Sequence, residues 1–309
     1  MLPKFKAVII VRKMNNPNDP VILSITASIT EVLHDNYPTV EVVNIGSNVH
    51  DDGSEDFVPK FEGKYRQGLY KNGEVLFIAI GGDGTVLTAA RYAIEHNDYL
   101  IGINTGNLGF LAEFDPHYAA ITVSDIFKDI GVFVERRSAL KCYLGDDVYY
   151  AMNDFVISDI ESDRAITYTL SINSDDRRSH AGTHFANSVI ISSPTGSTAY
   201  ALNVGGSILS PDLDVLQILP IAPMSITSRP LIVGGHNKIV VDVKPKQPLN
   251  MAHWISIKGD GQKINHFDNH KGLTFVFESC KECVNMIHHK NWCFFDVLRE
   301  KLHWNKPRF

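Results

Sequence analysis

The stretch Val75-Leu76-Phe77-Ile78-Ala79-Ile80-Gly81-Gly82-Asp83-Gly84-Thr85-Val86-Leu87-Thr88-Ala89-Ala90-Arg91-Tyr92-Ala93 decides the fold. Its opening apolar run reads as a strand buried on both faces. The run after the glycines has the composition and spacing of a helix. A glycine-rich turn from strand end to helix start bares backbone N–H groups, and the helix dipole aims positive charge at the same place. Gly81, Gly82, Gly84 and Thr85 are therefore expected to hold phosphate. Asp83 sits among them, where repulsion would exclude an acid with no other task. An acid kept there is expected to serve chemistry or a metal rather than simple binding, and the working reading is phosphoryl transfer with Asp83 at its centre.

The same pattern extends on both sides. Ala7-Val8-Ile9-Ile10-Val11 is a second apolar run. Asp19-Pro20 reads as the cap and first position of a helix carrying Ile22, Ile25, Ile29, Val32 and Leu33. Val40 to Ile45 follows as a strand, and the polar stretch from Gly46 to Gly73 is expected as loop with a short helix. Leu100-Ile101-Gly102-Ile103 is another strand and ends in a second glycine-rich loop, Asn104-Thr105-Gly106-Asn107-Leu108-Gly109-Phe110. Strands alternating with helices predict a parallel sheet covered on both faces. Ligands of such sheets bind beyond the carboxyl ends of the strands, where both glycine loops lie.

Near residue 131 the period changes. Ile166, Tyr168, Leu170 and Ile172 alternate with polar residues, and short apolar runs recur at 189–191, 239–243, 254–257 and 273–277. This predicts an all-β, sandwich-like domain interrupted by one helical piece at Ser197–Asn203. Phe294, Phe295, Leu298 and Leu302 then mark a C-terminal helix expected to return to the first domain. The expected division is an α/β domain at 1–130, a β-rich domain at 131–280 and a tail with its helix at 281–309.

The 309 residues are 44% hydrophobic and 21% charged, ordinary for a globular protein. A net charge of −6 argues against nucleic acid or an anionic membrane as the main partner. No run approaches the ~18 apolar residues of a membrane span. Lys4 and Lys6 are not followed by the apolar segment of a signal peptide. Four cysteines are too few for a disulfide scaffold. A cytoplasmic location is expected.

Several motifs have a plain reading beside the chemical one. Gly81–Thr85 on its own could be a tight turn with a capping Asp. It is not a phosphate loop of the Walker type, which needs a following Lys, nor a G-x-G-x-x-G dinucleotide loop. Asn153-Asp154 could be a polar turn before the strand Phe155-Val156-Ile157. Ser193-Pro194-Thr195-Gly196-Ser197-Thr198-Ala199-Tyr200 leads from a strand into a helix and gathers hydroxyls and amides that suit a diphosphate or ribose. Ser197 lacks the G-x-S-x-G context of a hydrolase nucleophile. Cys280-x-x-Cys283 with His288, His289 and Cys293 superficially resembles a metal cluster, but free thiols are the expected state.

Taken together, these segments resemble the NAD kinases of the bacterial type. The resemblance rests on Gly81–Thr85, Asn104–Leu111, Asn153-Asp154, Ser193–Tyr200, Gly205–Pro211, Ser228–Leu231, Asp260-Gly261-Gln262 and the closing Leu298–Trp304, in this order. It implies transfer of a phosphoryl group from ATP, or from polyphosphate, to the adenosine 2′-hydroxyl of NAD, forming NADP. Mg²⁺ or another divalent cation would accompany the donor. The resemblance makes Asp83 the catalytic acid/base. It makes 131–280 the dinucleotide-binding domain, with Asn153, Asp154, Asn187, Thr195 and Gln262 in its site. It puts Thr198, Ala199 and Tyr200 beside the nicotinamide half and Phe110 near the adenine, and it counts Asn107 among the cofactor-binding residues. A homodimer or homotetramer is implied, with a neighbouring subunit completing the site. Two positions depart from the family pattern: Asn187-Ser188 stands where Asp-Gly is common, and Phe185 where a basic residue is frequent. Rival readings are a lipid kinase of the diacylglycerol or sphingosine type, which shares Gly-Gly-Asp-Gly-Thr, and a non-catalytic NAD(P)-binding sensor.

Overall fold

The computed structural model describes residues 2–13, 16, 19–45, 63–107, 109–160, 164–174, 177–245 and 254–304. Residues 46–62 of the polar stretch and Leu108 of the second glycine loop lie outside these. A short helical turn occupies 63–66. The chain divides into two compact units, Met1–Arg136 with Cys283–Phe309, and Arg137–Glu282. It passes from one to the other within a strand, and returns within another.

The first unit is built on strands β1 (Ala7–Arg12), β2 (Glu41–Ile45), β3 (Val75–Gly81) and β4 (Tyr99–Asn104). All pair in parallel, in the order β2-β1-β3-β4. Alternate residues Val8, Ile10, Leu76, Ile78, Ile80, Ile101 and Ile103 form one core with Ile22, Ile25, Ile29 and Leu33 of helix α1 (Pro20–Asn36). Val123 and Ile126 of a later helix, α3 (Ala119–Phe127), join the same core. Helix α2 (Asp83–His96) covers the other face, where Tyr92 stacks on Phe77 with ring centres 6.4 Å apart. Helices on both faces explain why these strands are apolar throughout rather than alternating. Asp19 caps α1 by accepting a 2.9 Å hydrogen bond from the Val21 amide, and Pro20 takes the first turn, as its sequence requires.

The remaining strands are β5 (Val132–Leu144), β6 (Asp147–Ala151), β7 (Asp154–Asp159), β8 (Ile166–Ser174), β9 (Arg177–Ser192), β10 (Val215–Pro223), β11 (Leu231–Gly234), β12 (Lys238–Val243), β13 (Trp254–Gly259), β14 (Gln262–Asp268) and β15 (Leu273–His289). Within the second unit the pairing is antiparallel. Its strands form a continuous hydrogen-bonded set, and the long β9 explains how one set can wrap a core. Its first half pairs with β8, and its second half pairs with β7 on one edge and β10 on the other. Phe155, Tyr168, Phe275 and Phe277 fill the interior. A 3₁₀ turn (Thr195–Thr198) and the short helix α4 (Tyr200–Asn203) follow β9 directly. The C-terminal end of β15 returns to the first unit, where Asn285 and Met286 pair with β4. Helix α5 (Phe294–Leu302) then buries Phe294 and Leu298. No described helix is long and apolar enough to cross a membrane.

Candidate functional site

In the first unit, β3 ends at Gly81 and Gly82 caps α2. Asp83 is the first residue of that helix, so its carboxylate lies in the positive end of the helix dipole. The loop after β4 encloses it. One carboxylate oxygen accepts hydrogen bonds from the amides of Leu111 at 3.0 Å and Ala112 at 3.1 Å. The other accepts from the Phe110 amide at 2.8 Å and from Lys301 Nζ at 3.1 Å. These partners resolve the puzzle of an acid in an anion-holding turn. Burial pushes the carboxyl upward, but the Phe110 and Leu111 amides, the Lys301 charge and the Ala112 amide outweigh it, and its pKa lies below the usual carboxylate value.

The glycine ahead of Phe110 is required by this contact. A Cβ on Gly109 would stand 2.0 Å from an Asp83 carboxylate oxygen. By contrast, a Cβ on Gly82 or Gly84 would meet nothing within 4 Å, so packing within the unit does not demand glycine there. Bare backbone over a helix N-terminus suits the close approach of a phosphate. Thr85 is buried in the same turn. Phe110 is nearly buried, with its ring 6.4 Å from that of Phe294. Asn107 is exposed, and its carbonyl accepts a 3.1 Å hydrogen bond from the Asn104 amide group.

In the second unit, Asn153 and Asp154 are buried at the start of β7. The Asp260 carboxylate holds them by accepting from the backbone amides of Met152 at 2.9 Å, Asn153 at 2.7 Å and Asp154 at 3.3 Å. Asp260 donates its own amide to the Asp154 carbonyl at 2.9 Å. The segment after β9 packs against the same place. The Ser193 amide donates to the Asn153 carbonyl at 2.9 Å, and its hydroxyl donates to the Met152 carbonyl at 2.6 Å. Gly196 passes so close that a Cβ there would stand 2.1 Å from the Asn153 carbonyl oxygen.

Two polar atoms in this cluster, Asn153 Oδ1 and Thr195 Oγ1, are buried without a hydrogen-bond partner among the described residues. Buried polar atoms are seldom left so, and a polar ligand would satisfy both. Asp154, buried beside them, adds a titratable group. Burial, then the negative charge of Asp260, raises its carboxyl to about 7. The cluster can therefore offer an acceptor oxygen, a hydroxyl and a carboxyl that titrates near neutrality.

The other expected residues lie at differing distances from this cluster. Thr198 and Ala199 share its 3₁₀ turn: the Thr198 hydroxyl donates to the Thr195 carbonyl at 3.2 Å, and the Ala199 amide to the Gly196 carbonyl at 2.9 Å. Tyr200 opens α4 and is exposed. Gln262 opens β14 just after Asp260 and is also exposed. Ser197 is fully buried, and its hydroxyl bonds to the backbone of Leu209. Asn187 is not gathered with Asn153. Asp154 pairs with Ser192 on β9, and Asn187 lies five residues before Ser192, about 17 Å along the strand. Phe185 is half exposed beyond it, and the side chains of Arg177 and Arg178 lie outside the description. Cys280 and Cys283 are not disulfide-bonded, and their spacing puts them on opposite faces of β15.

Asp260 and Lys301 had no role assigned from sequence. Asp260-Gly261 carried a readable signal, because Asp-Gly between two strands specifies a two-residue hairpin. Both residues have positive φ, +50° and +74°.

Residues 8–130 match the profile of the ATP-NAD kinase N-terminal domain, and residues 134–287 that of the ATP-NAD kinase C-terminal domain. An NAD kinase of Tolumonas auensis is 31% identical over 250 residues, covering 78% of this chain and 80% of that protein. One of Acinetobacter baylyi is 34% identical over 245 residues, covering 76% and 75%. Among solved structures, yeast NADH kinase complexed with NADH superposes with a TM-score of 0.77 at 20% identity, covering 98% of this chain and 89% of that one. An NAD kinase from Archaeoglobus fulgidus in complex with ATP gives 0.66 at 20% identity, covering 96% and 98%. With both domain profiles matched in order and relatives about a third identical over three quarters of its length, the chain belongs to the NAD kinase family.

Proposed function

We propose that the protein phosphorylates the adenosine 2′-hydroxyl of NAD with the terminal phosphoryl group of ATP, forming NADP and ADP. The observation that carries this reading is the Asp83 carboxylate, ionised and fixed at the mouth of the glycine turn by three amides and Lys301. The 2′-oxygen attacks the terminal phosphorus, the bond from that phosphorus to its bridging oxygen breaks, and the hydroxyl proton passes to Asp83. A carboxylate with a depressed pKa is a weak base towards a ground-state hydroxyl. It suits a loose transition state, in which the hydroxyl loses its proton late and orientation matters most. The N-terminus of α2, bare at Gly82 and Gly84, receives phosphate oxygens.

Mg²⁺ belongs to this proposal as an ion carried in by the donor. In this reading the Asp83 carboxylate serves the hydroxyl, so donor phosphates and water would be the ligands of the ion. When bound, the ion neutralises charge on the phosphate oxygens. Asn153, Asp154 and Thr195 hold the dinucleotide, with Thr198–Tyr200 along its nicotinamide half. A dimer or tetramer is part of the same reading.

Incubation with NAD, Mg²⁺ and γ-labelled ATP is expected to yield labelled NADP. Dinucleotide binding without turnover, or label transferred to diacylglycerol instead, would overturn the reading. Inorganic polyphosphate in place of ATP tests the donor.

The Asp154 carboxyl makes a further prediction. If its ionised form accepts hydrogen bonds from ribose hydroxyls, affinity for NAD should rise as pH increases through about 7. The Asp154→Asn variant should bind more weakly at pH 8 and lose this dependence. The same shift acts on folding with a definite sign. Its stabilising share is complete below the ordinary value of 3.8 and is lost as pH climbs to about 7. Asp154→Asn should therefore raise Tm at pH 8 but not below pH 3.8. Calorimetric titration and thermal melts across pH check both, and NAD affinity that stays flat from pH 6 to 8 in the wild type would remove Asp154 from the binding step.

A further inference from the structure

Helix α5 delivers one basic side chain to the reacting end of the first unit. Phe294 and Leu298 anchor the helix, and Lys301 lies three residues beyond Leu298 on the same face. Its Nζ makes two contacts at once. It stands 3.1 Å from Asp83 Oδ2, and 4.6 Å from the centre of the Phe110 ring. The Phe110 amide donates to that same Asp83 oxygen at 2.8 Å. One ammonium thus ties together the acid of the glycine turn, the loop that encloses it and the C-terminal helix.

We propose that Lys301 is a positioning residue for phosphoryl transfer, holding the Asp83 carboxylate ionised and aligned against the loop amides while its charge rests on the Phe110 face. This rests on Asp83 being the base of the proposed kinase reaction. The groups meeting Asp83 come from three elements. The loop offers the amides of Phe110, Leu111 and Ala112; α2 offers its own N-terminus; α5 offers Lys301. The neighbouring carboxylate on the loop, Glu113, is turned to His288 and to the His289 amide. On α5, Arg299 is paired with Asp296. Lys301 is therefore the positive side-chain charge set against the burial that pushes Asp83 upward.

The geometry also explains why Lys301 need not contribute much to stability to matter. Both side chains are about a third exposed or less, at 32% and 27%. A pair of this kind adds only modestly to folding, and the same coupling shows as a change in when the carboxylate titrates and which way it faces.

The test compares Lys301→Gln and Lys301→Arg with the wild type in the full chain. At saturating NAD and ATP, Lys301→Gln should lower kcat by about tenfold and move the acid limb of its pH profile upward by about one pH unit. Lys301→Arg should restore most of both, with KM for NAD unchanged throughout. Independently of turnover, the Asp83 share of stability is present above pH 3.8 and lost as pH falls through its folded pKa. In Lys301→Gln this acid loss of Tm should be smaller and should end at higher pH, because only the folded pKa moves. An unmoved acid limb together with an unmoved Tm profile overturns the proposal. So does an Arg variant as impaired as Gln with a uniformly lower Tm, because that is a packing role. If the wild type makes no NADP, the functional reading fails on its own, and the Tm profile still decides whether Lys301 controls Asp83.

Discussion

Asp83→Asn is expected to reduce kcat for NAD phosphorylation by roughly 10²-fold or more, the usual size of a general-base contribution. The substitution keeps the shape but not the acceptors. In the wild type, one oxygen takes the Leu111 and Ala112 amides and the other takes the Phe110 amide and Lys301. An Asn oxygen can serve one of these pairs. Its NH₂ group must then face two donors. The loop should loosen, with a stability cost of about 1–3 kcal/mol for the unmatched groups and a Tm lower by several degrees. The activity loss should exceed what that loosening explains. NAD binding through Asn153, Asp154 and Thr195 should persist, so Kd for NAD is the control. A variant turning over within a few fold of wild type would exclude Asp83 from proton transfer. A variant that neither binds NAD nor folds would leave the residue with a structural role alone.

The fold was legible where local period carries the information. The apolar runs at Ala7–Val11 and Val75–Ile80 specify buried parallel strands, and Asp19-Pro20 and the glycine turn mark where α1 and α2 begin. Legibility failed where polar residues interrupt a strand. The sequence pattern ends a strand near Phe277, because Glu278-Ser279-Cys280-Lys281-Glu282 breaks the apolar alternation. The structure carries β15 on to His289. Pairing partners were equally hidden, since nothing local tells β9 to change neighbours halfway along.

The site divides in the same way. Asp83 stands in a motif whose chemistry shows in the residues themselves, whereas Asn153-Asp154 reads locally as a polar turn and is marked only by the family resemblance. Lys301 and Asp260 act through contacts 218 and up to 108 residues distant in sequence. Such a contact is a property of the folded chain. No spacing rule could assign Lys301 to Asp83, although the Leu298–Trp304 segment was visible as a motif. Asn187 shows the converse, a motif position that the β7–β9 register sets well away from Asn153.

Replacing Asp260 should separate the two tasks its carboxylate performs. It fixes the backbone of Met152, Asn153 and Asp154, and its charge raises the Asp154 carboxyl. Asp260→Ala removes every acceptor and puts alanine at a φ of +50°, which Asp and Asn tolerate better. Unpaired buried amides cost about 1–3 kcal/mol each. Even a few kcal/mol charged to the binding-competent arrangement raises KM for NAD by about 10–100-fold. The kcat at saturating NAD should change far less, because Asp83 and its partners are untouched. Asp260→Asn keeps the backbone angle and one acceptor while deleting the charge. Its KM should rise less, and the pH midpoint of NAD binding should fall below that of the wild type as the repulsion on Asp154 is lifted. A midpoint that stays near 7 in Asp260→Asn would make burial alone responsible for the Asp154 shift. An Asp260→Ala enzyme with unchanged KM would show that Asn153 and Asp154 hold their places without the clamp.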